Sequence, residues 1–345
     1  MAGKHGQVRL QDIALEVGVS VVTVAKVLNN TGGKNTRVSD RVAEKIRACE
    51  RRLGYQPNQL ARQLAGKSSD IIGVAMDSYA PAIFHTRLAM MEQVASSLGY
   101  RFLVGQAHDT IDKMVSFARD FESYNVAGII CLAHNYPGYS SCIASAYPAD
   151  KTVFMEKPEG MARPCYVSLA VEDAFCDAVQ HMAARGRTRP VLFLKGNLQT
   201  NYGMDLRQQG YLSGLAGSGL NYSRVIMLQP EDEACSLVLQ ERVRSLLCTD
   251  RPDAFIAAND HIAGALLRAL LKLKVRVPED VALMGFDNVD FAKLLTPSLT
   301  TFDDRSDVIA ESLVTMLVAL IQDPDLPIEC RQKRVRPKLI VREST

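Results

Sequence analysis

The chain of 345 residues contains no long apolar run. Its longest, such as Val126 to Ala133 and Ile71 to Met76, fall far short of the roughly 18 residues of a membrane span, which argues against an integral membrane protein. The opening residues, Met1-Ala-Gly-Lys-His-Gly-Gln-Val-Arg-Leu10, lack the apolar stretch of a secretory signal and point to the cytoplasm. The eight cysteines (Cys49, Cys131, Cys142, Cys165, Cys176, Cys235, Cys248, Cys330) include no CxxC pair, as suits reduced thiols in that compartment. GxGxxG, P-loop, GxSxG and HExxH motifs are absent, and the six histidines show no metal spacing. No cofactor, metal site or enzymatic activity is therefore expected. What is present, 47% hydrophobic and 23% charged residues, suits a globular chain too long for one ordinary domain.

The net charge of +2 conceals a division. Residues 1 to 67 carry twelve basic and five acidic side chains, a net +7, which leaves −5 for the other 278 residues. A small basic head on an acidic body points to a polyanion partner for the head alone; the alternative is a solvated basic surface.

Residues 10 to 53 show helical spacing and no strand pattern. Leu10, Ile13, Ala14 and Val17 share one face up to Gly18; Ser20 is a fitting N-cap for a second helix, Val21 to Asn29, that buries Val24, Val27 and Leu28. A third helix from Ser39-Asp40 carries Val42, Ala43, Ile46 and Leu53. Helix, Gly-containing turn and second helix form a helix-turn-helix layout, although a structural bundle has the same pattern. Asn58 can cap a short segment to Ala65 that is too short to be stable alone and makes sense if binding orders it. From Asp70 onward, eight short apolar runs (Ile71 to Met76, Arg101 to Val104, Gly128 to Leu132, Thr152 to Met155, Val191 to Leu194, Val225 to Met227, Ala254 to Ala257, Val281 to Gly285) alternate with amphipathic stretches. That alternation predicts two doubly wound halves with a cleft at the carboxyl ends of their strands.

The run Leu10 to Asn29, then Val38-Ser39, Leu53-Gly-Tyr-Gln-Pro-Asn58 and Ala61-Arg-Gln-Leu-Ala-Gly-Lys67, resembles the lactose-repressor (LacI/GalR) family of bacterial transcription regulators. The resemblance continues through Ile72-Gly-Val-Ala75, His181-Met182 with Gly186, Ala258-Asn-Asp260, Pro278-Glu-Asp-Val-Ala282, Gly285-Phe-Asp287, Pro297-Ser-Leu-Thr-Thr301 and Val341-Arg-Glu-Ser-Thr345, and so covers essentially the whole chain. It implies an N-terminal all-α helix-turn-helix domain at 1–57, a hinge helix and linker at 58–68, and a two-lobed periplasmic-binding-protein-like α/β effector and dimerisation domain at 69–345. Lobe 1 is expected at about 69–187 plus 300–326, and lobe 2 at about 188–299 plus 327–345.

By the same resemblance, Val21, Val22 and Lys26 face base edges; Lys26 can donate to a guanine, and the valines suit thymine methyls. Ser20, Thr23 and Asn29 can bond phosphates and set the register. Core packing is the competing role for the two valines. Asn58 and Gln59 fall in the hinge helix, and Leu64 at the position the family wedges between base pairs of the minor groove. Effector contacts are implied at Asp77, Asp173, Arg207, Asn259 and Asp287, a set suited to a hydroxyl-rich ligand such as a sugar. The implied partners are a pseudo-palindromic double-stranded operator DNA, a small polar effector and a second copy of the chain, with no membrane. The rival is a cytosolic small-molecule-binding protein or enzyme of doubly wound fold whose basic head does not bind DNA.

Four departures stand out. The stretch from Asn29 to Val38 is longer than the family norm and carries Lys34 and Arg37. Ala25 replaces a usual serine; Lys26 replaces a usual arginine and cannot make its bidentate fork. Ala80-Pro-Ala-Ile-Phe84 does not reproduce the NPFF-like string after the first strand.

Overall fold

The computed structural model describes residues 8–29, 38–55, 69–78, 82–108, 110–133, 140–195, 204–229 and 236–345. The chain divides into two compact units, Met1–Ser69 and Asp70–Thr345.

In the first unit, α1 (Leu10–Val17), α2 (Val21–Asn29) and α3 (Asp40–Leu53) enclose Ile13, Ala14, Val24, Val27, Ile46 and Cys49. Asp12 starts α1 by accepting the Arg9 N–H at 2.7 Å. Gly18 ends it in the left-handed region, φ 74°, donating its N–H to the Ala14 carbonyl at 3.0 Å. This tight turn places Ser20 where its Oγ accepts the Thr23 N–H at 3.1 Å and caps α2. Arg52 of α3 forms an ion pair with Glu16 of α1 on the surface.

In the second unit, lobe 1 is built on six parallel strands: β1 (Ile71–Met76), β2 (Arg101–Gln106), β3 (Gly128–Cys131), β4 (Thr152–Met155), β5 (Cys165–Leu169) and β11 (Gln332–Val335), in the order β11-β5-β4-β3-β1-β2. One face packs Ile72, Val74 and Ile130 against Met91 of α4 (Ala82–Ser97) and Ile309, Leu313 and Leu317 of α11 (Ser306–Gln322). The other packs Ala75, Ile129 and Phe154 on Met114 and Phe121 of α5 (Ile111–Ser123) and Ile143 of α6 (Ser140–Ala146). Covered on both faces, the inner strands β1, β3 and β4 read as near-continuous apolar runs, while the edge strands β2 and β11 are partly exposed.

Lobe 2 holds a parallel sheet in the order β7-β6-β8-β9, from β6 (Pro190–Lys195), β7 (Arg224–Leu228), β8 (Ala254–Ala257) and β9 (Ala282–Met284). Around it lie α7 (Val171–Ala184), α8 (Met204–Gly217), α9 (Ser236–Thr249) and α10 (Asp260–Lys272), and an antiparallel pair, β10 (Thr301–Asp303) with β12 (Lys338–Ile340). Phe175, Val179, Leu192, Phe193, Tyr211, Phe255, Leu266 and Phe286 belong to one core.

The chain crosses between lobes at Ala170, at Asp304 and Arg305, and at Arg336 and Pro337. This corrects the expected lobe boundaries. Val171, Phe175 and Val179 of α7 are buried in the lobe 2 core, so lobe 1 ends near Leu169 and not near residue 187. β10 lies in lobe 2, where Phe302 is buried, and β11 pairs with β5 in lobe 1, so 327–335 changes sides. Sheet pairing and burial decide these positions, and both depend on contacts distant in sequence.

Helices α7 and α8 meet through glycines. A Cβ on Gly210 would stand 2.1 Å from the Glu172 carbonyl oxygen, and one on Gly214 2.7 Å from Val179 Cβ. Gly210→Val is expected to force the helices apart, costing about 2–3 kcal/mol and lowering the melting temperature of the body by roughly 5–10 °C in calorimetry. An unchanged melting temperature would show that α8 can move aside without loss.

Candidate functional site

The head presents α2. Val24 and Val27 turn into the core, while Val21 is 41% and Val22 62% exposed, so core packing does not account for these two valines. Ser20 is exposed and its Oγ lies 2.8 Å from Thr23 Oγ1, giving a pair of surface hydroxyls at the helix start. Lys26 is half-buried in the last turn of α2, which Asn29 ends. Asn58, Gln59 and Leu64 lie outside the described residues, as does the stretch from Asn30 to Arg37.

The body presents a cleft. β5 leaves lobe 1 from its carboxyl end through Ala170, β11 through Arg336, and β10 leaves lobe 2 through Asp304. The carboxyl ends of the two sheets therefore flank the crossovers, and side chains just beyond them share the space between the lobes. Asp77 directly follows β1 and is 3% exposed. Beside it the β1 and β2 ends are joined by a 2.6 Å hydrogen bond between Ser78 Oγ and His108 Nδ1.

Arg207 rises from the first turn of α8, with its guanidinium 5.6 Å from the Phe175 ring centre and 5.5 Å from that of Phe286. Those rings stack at 5.6 Å, and Phe286 stacks on Phe302 at 6.0 Å, so a rigid aromatic floor orients the arginine. Its Nε donates to the Ala258 carbonyl at 3.3 Å. Burial lowers its pKa, and the charges of Asp287 and Glu156 oppose that shift.

Asp287 follows β9 with φ 102°, a left-handed conformation that costs an aspartate energy and is held by the Asp287 N–H to Phe302 carbonyl bond of 2.9 Å. Burial pushes its carboxyl up to about 8; Arg207 and Arg87 pull it down, while Asp304 and Asp260 push it further up. The counterpart on lobe 1 is Glu156, a residue the sequence reading did not select. It follows β4 with φ 72°, and its Oε1 accepts the Leu169 N–H at 2.9 Å. Burial raises it to about 7 against that hydrogen bond and the charges of Arg87, Arg207 and Arg334. The signal was present: Glu156 is a carboxylate one residue past a strand end, where sheets of this kind bind ligands.

Two expected contacts are engaged otherwise. Asp173, in the first turn of α7, forms a 2.8 Å ion pair with Arg334 of β11, at the surface. Asn259 caps α10, its Oδ1 accepting the Ile262 N–H at 2.9 Å, which leaves its amide nitrogen as the group able to donate to a ligand. A further pair, Arg87 of α4 and Asp304 at the crossover, joins at 2.6 Å with both side chains almost wholly buried. Among the described residues no group of three His, Cys, Asp or Glu could hold a metal ion, and no helix is long and apolar enough to cross a membrane.

A helix-turn-helix head joined to a two-lobed body with a polar cleft defines the ligand-responsive DNA-binding transcriptional regulators. Two family models match, one described as bacterial regulatory proteins of the lacI family over residues 9–58, the other as a periplasmic binding protein-like domain over residues 179–345. The chain thus pairs a lacI-family helix-turn-helix domain with a periplasmic-binding-protein-like domain, and the relatives it resembles over nearly its whole length are transcriptional repressors and not enzymes. It is 26% identical over 340 residues to the HTH-type transcriptional repressor PurR of Erwinia tasmaniensis, covering 97% of this chain and 96% of that one. It is also 26% identical over 322 residues to the sucrose operon repressor of Streptococcus mutans, covering 92% and 94%. Its fold matches the lac repressor dimer bound to operator and the anti-inducer ONPF, with TM-score 0.83, 24% identity and 99% of each chain covered. The transcriptional regulator CelR in complex with cellobiose matches with TM-score 0.67 and 21% identity, over 98% of this chain and 100% of that one.

Proposed function

We propose that this regulator is a repressor that binds a pseudo-palindromic operator as a homodimer, and that a sugar or sugar derivative held between the lobes controls its affinity. The observation that carries the DNA reading is the exposure of Val21 and Val22 on a Ser20-capped helix in a head of net charge +7. In this reading residues 1–57 read the DNA, 58–68 couple the parts, and 69–345 sense the effector and dimerise. Val21, Val22 and Lys26 meet base edges; Ser20, Thr23 and Asn29 meet phosphates; Asn58, Gln59 and Leu64 act at the minor groove. Asp77, Arg207, Asn259 and Asp287 contact the effector, joined by Glu156, while Asp173 reaches it only by leaving Arg334. The sucrose operon repressor among the relatives and the cellobiose complex among the structural neighbours support a sugar. The effector changes operator affinity only as far as it binds the two closure states unequally.

Selection from a random pool of double-stranded DNA by the intact chain, followed by gel retardation at rising salt, tests this. The expected result is an enriched pseudo-palindrome whose affinity falls steeply with salt. Lys26→Ala is expected to lose about 1–3 kcal/mol of base preference at one symmetric pair of positions. If the intact chain retains no DNA even at low salt, the regulator reading of the head fails.

A further inference from the structure

We propose that lobe 1 carries a second small-molecule site, away from the cleft, for a zwitterion with an apolar side chain such as an aromatic α-amino acid. A cavity of about 400 Å³ opens where α5 and α6 end over the amino ends of β3 and β4. The cleft adjoins the carboxyl ends of the same sheet, so the two sites lie at opposite edges of lobe 1. Small-ligand pockets typically enclose about 300–1,000 Å³, a range that includes this one.

The floor is apolar and already fixed. Ala118, Val126, Ile129 and Tyr147 line it, each at most 7% exposed. The Tyr147 hydroxyl donates to the Met114 carbonyl at 2.6 Å, and its ring meets Phe154 edge-on with centres 6.4 Å apart, so it offers a ligand only its ring. The walls are pinned as well. After α5, Asn125 takes φ 49°, and the Asn125 and Val126 N–H groups donate to the Glu122 and Phe121 carbonyls at 2.9 and 3.1 Å. Before β4, the Lys151 N–H donates to the Pro148 carbonyl at 3.2 Å, while the Lys151 carbonyl accepts the Ile129 N–H at 2.7 Å. A pocket that need not be ordered on binding loses less affinity to that step.

The rim supplies the charge. The α5 wall carries Arg119 and Glu122, and the other wall Asp150 and Lys151, so each offers one cation and one anion. All four side chains are exposed, and among the described residues none forms an ion pair, either across the mouth or with a neighbour. A ligand of single charge meets a like group as well as an unlike one on each wall. One bearing both an ammonium and a carboxylate can turn each toward its opposite while its apolar part covers the floor. Deeper in, Thr152 is fully buried and its Oγ1 has no hydrogen-bond partner among the described residues. It stands in register with Ile129, so both side chains lie on the face of the sheet over which the cavity opens. A buried hydroxyl left unpaired is costly, and this one favours a ligand with a polar group able to reach it.

Titration calorimetry of the intact chain tests the site with three probes of one shape: L-phenylalanine, 3-phenylpropionate, which lacks the ammonium, and 2-phenylethylamine, which lacks the carboxylate. L-Phenylalanine is expected to bind, and each analogue about fivefold more weakly, as suits exposed ionic contacts. Paired variants locate the ligand. Arg119→Gln with Lys151→Gln should weaken L-phenylalanine and 3-phenylpropionate by about fivefold but not 2-phenylethylamine. Glu122→Gln with Asp150→Asn should weaken L-phenylalanine and 2-phenylethylamine but not 3-phenylpropionate. Because these side chains are exposed and unpaired, both variants should melt as the wild-type chain does. No heat from any probe overturns the site, and equal affinity for all three overturns the zwitterion. Binding that ignores both paired variants puts the ligand elsewhere and overturns the assignment. Each of these results leaves the effector reading of the cleft untouched.

Discussion

Arg87→Ala is expected to destabilise the body by about 3–5 kcal/mol, because it breaks a buried ion pair. For a unit of this size that lowers the melting temperature by roughly 10 °C or more. The reason is the state it leaves behind. Asp304 is 2% exposed, and its other partners are neutral: the Ser306 N–H at 2.9 Å and the Ser306 hydroxyl at 2.7 Å. Without Arg87 its charge is buried and unopposed, so the variant must take up a proton or admit water at the crossover. The guanidinium also lies 4.9 Å from the Phe84 ring centre, and that packing is lost as well. Removing both charges tests the explanation. Arg87→Met with Asp304→Asn leaves no uncompensated ion, and should recover more than half of the loss in urea unfolding. A double variant as unstable as Arg87→Ala would mean that shape, and not charge, sets the cost. Because Asp304 lies on a crossover and Arg87 on a lobe 1 helix, the pair ties the crossover to lobe 1. Variants here should change effector response as well as melting.

Much of this arrangement could be read from residue spacing, and the exceptions share a cause. Strands buried on both faces, such as Ile71–Met76 and Ala254–Ala257, appear as apolar runs because every side chain meets a helix layer. Gln332–Val335 does not: it is an edge strand of six with three of four residues exposed, and only pairing with Cys165–Leu169 makes it a strand. Cys165–Leu169 and the three-residue strands Thr301–Asp303 and Lys338–Ile340 are likewise too short or too mixed to carry a period. In the head, Ser20 and Gly18 reveal their roles locally, since a cap and a left-handed turn are properties of a few adjacent residues. The cleft is different. Arg207, Asp287 and Glu156 come from positions far apart in the chain, and nothing near Asp173 announces that Arg334 will occupy it. Arg87 was legible in one respect: it shares the buried face of its helix with Met91 and Ala95, and a lone charge on such a face demands a partner. Which partner, only the fold could tell.

Arg207→Ala is expected to abolish the response to effector while operator binding in its absence persists. Glu156 and Asp287 both act on the charge of Arg207, and the Phe175 and Phe286 rings hold its plane. Loss of a buried charged donor from a ligand site costs about 2–5 kcal/mol, or a weakening of roughly 30-fold to several thousand-fold. Lysine should rescue little, because it keeps the charge but neither stacks as a plane nor presents two parallel donors. The measurement is operator retention against effector concentration, with Arg207→Lys beside Arg207→Ala; near-normal response in either variant would remove Arg207 from the site. A second readout separates binding from charge balance. With the guanidinium gone, burial of Glu156 and Asp287 is less opposed and both pKa values move up from about 7 and about 8. Melting temperature falls as pH rises through such raised pKa values, and in the variant that fall should extend to higher pH than in the wild-type chain. A merely structural role for Arg207 would lower the whole curve without shifting its window. That contrast decides whether the arginine is a strut for the α7 and α8 packing or the charge around which the cleft is balanced.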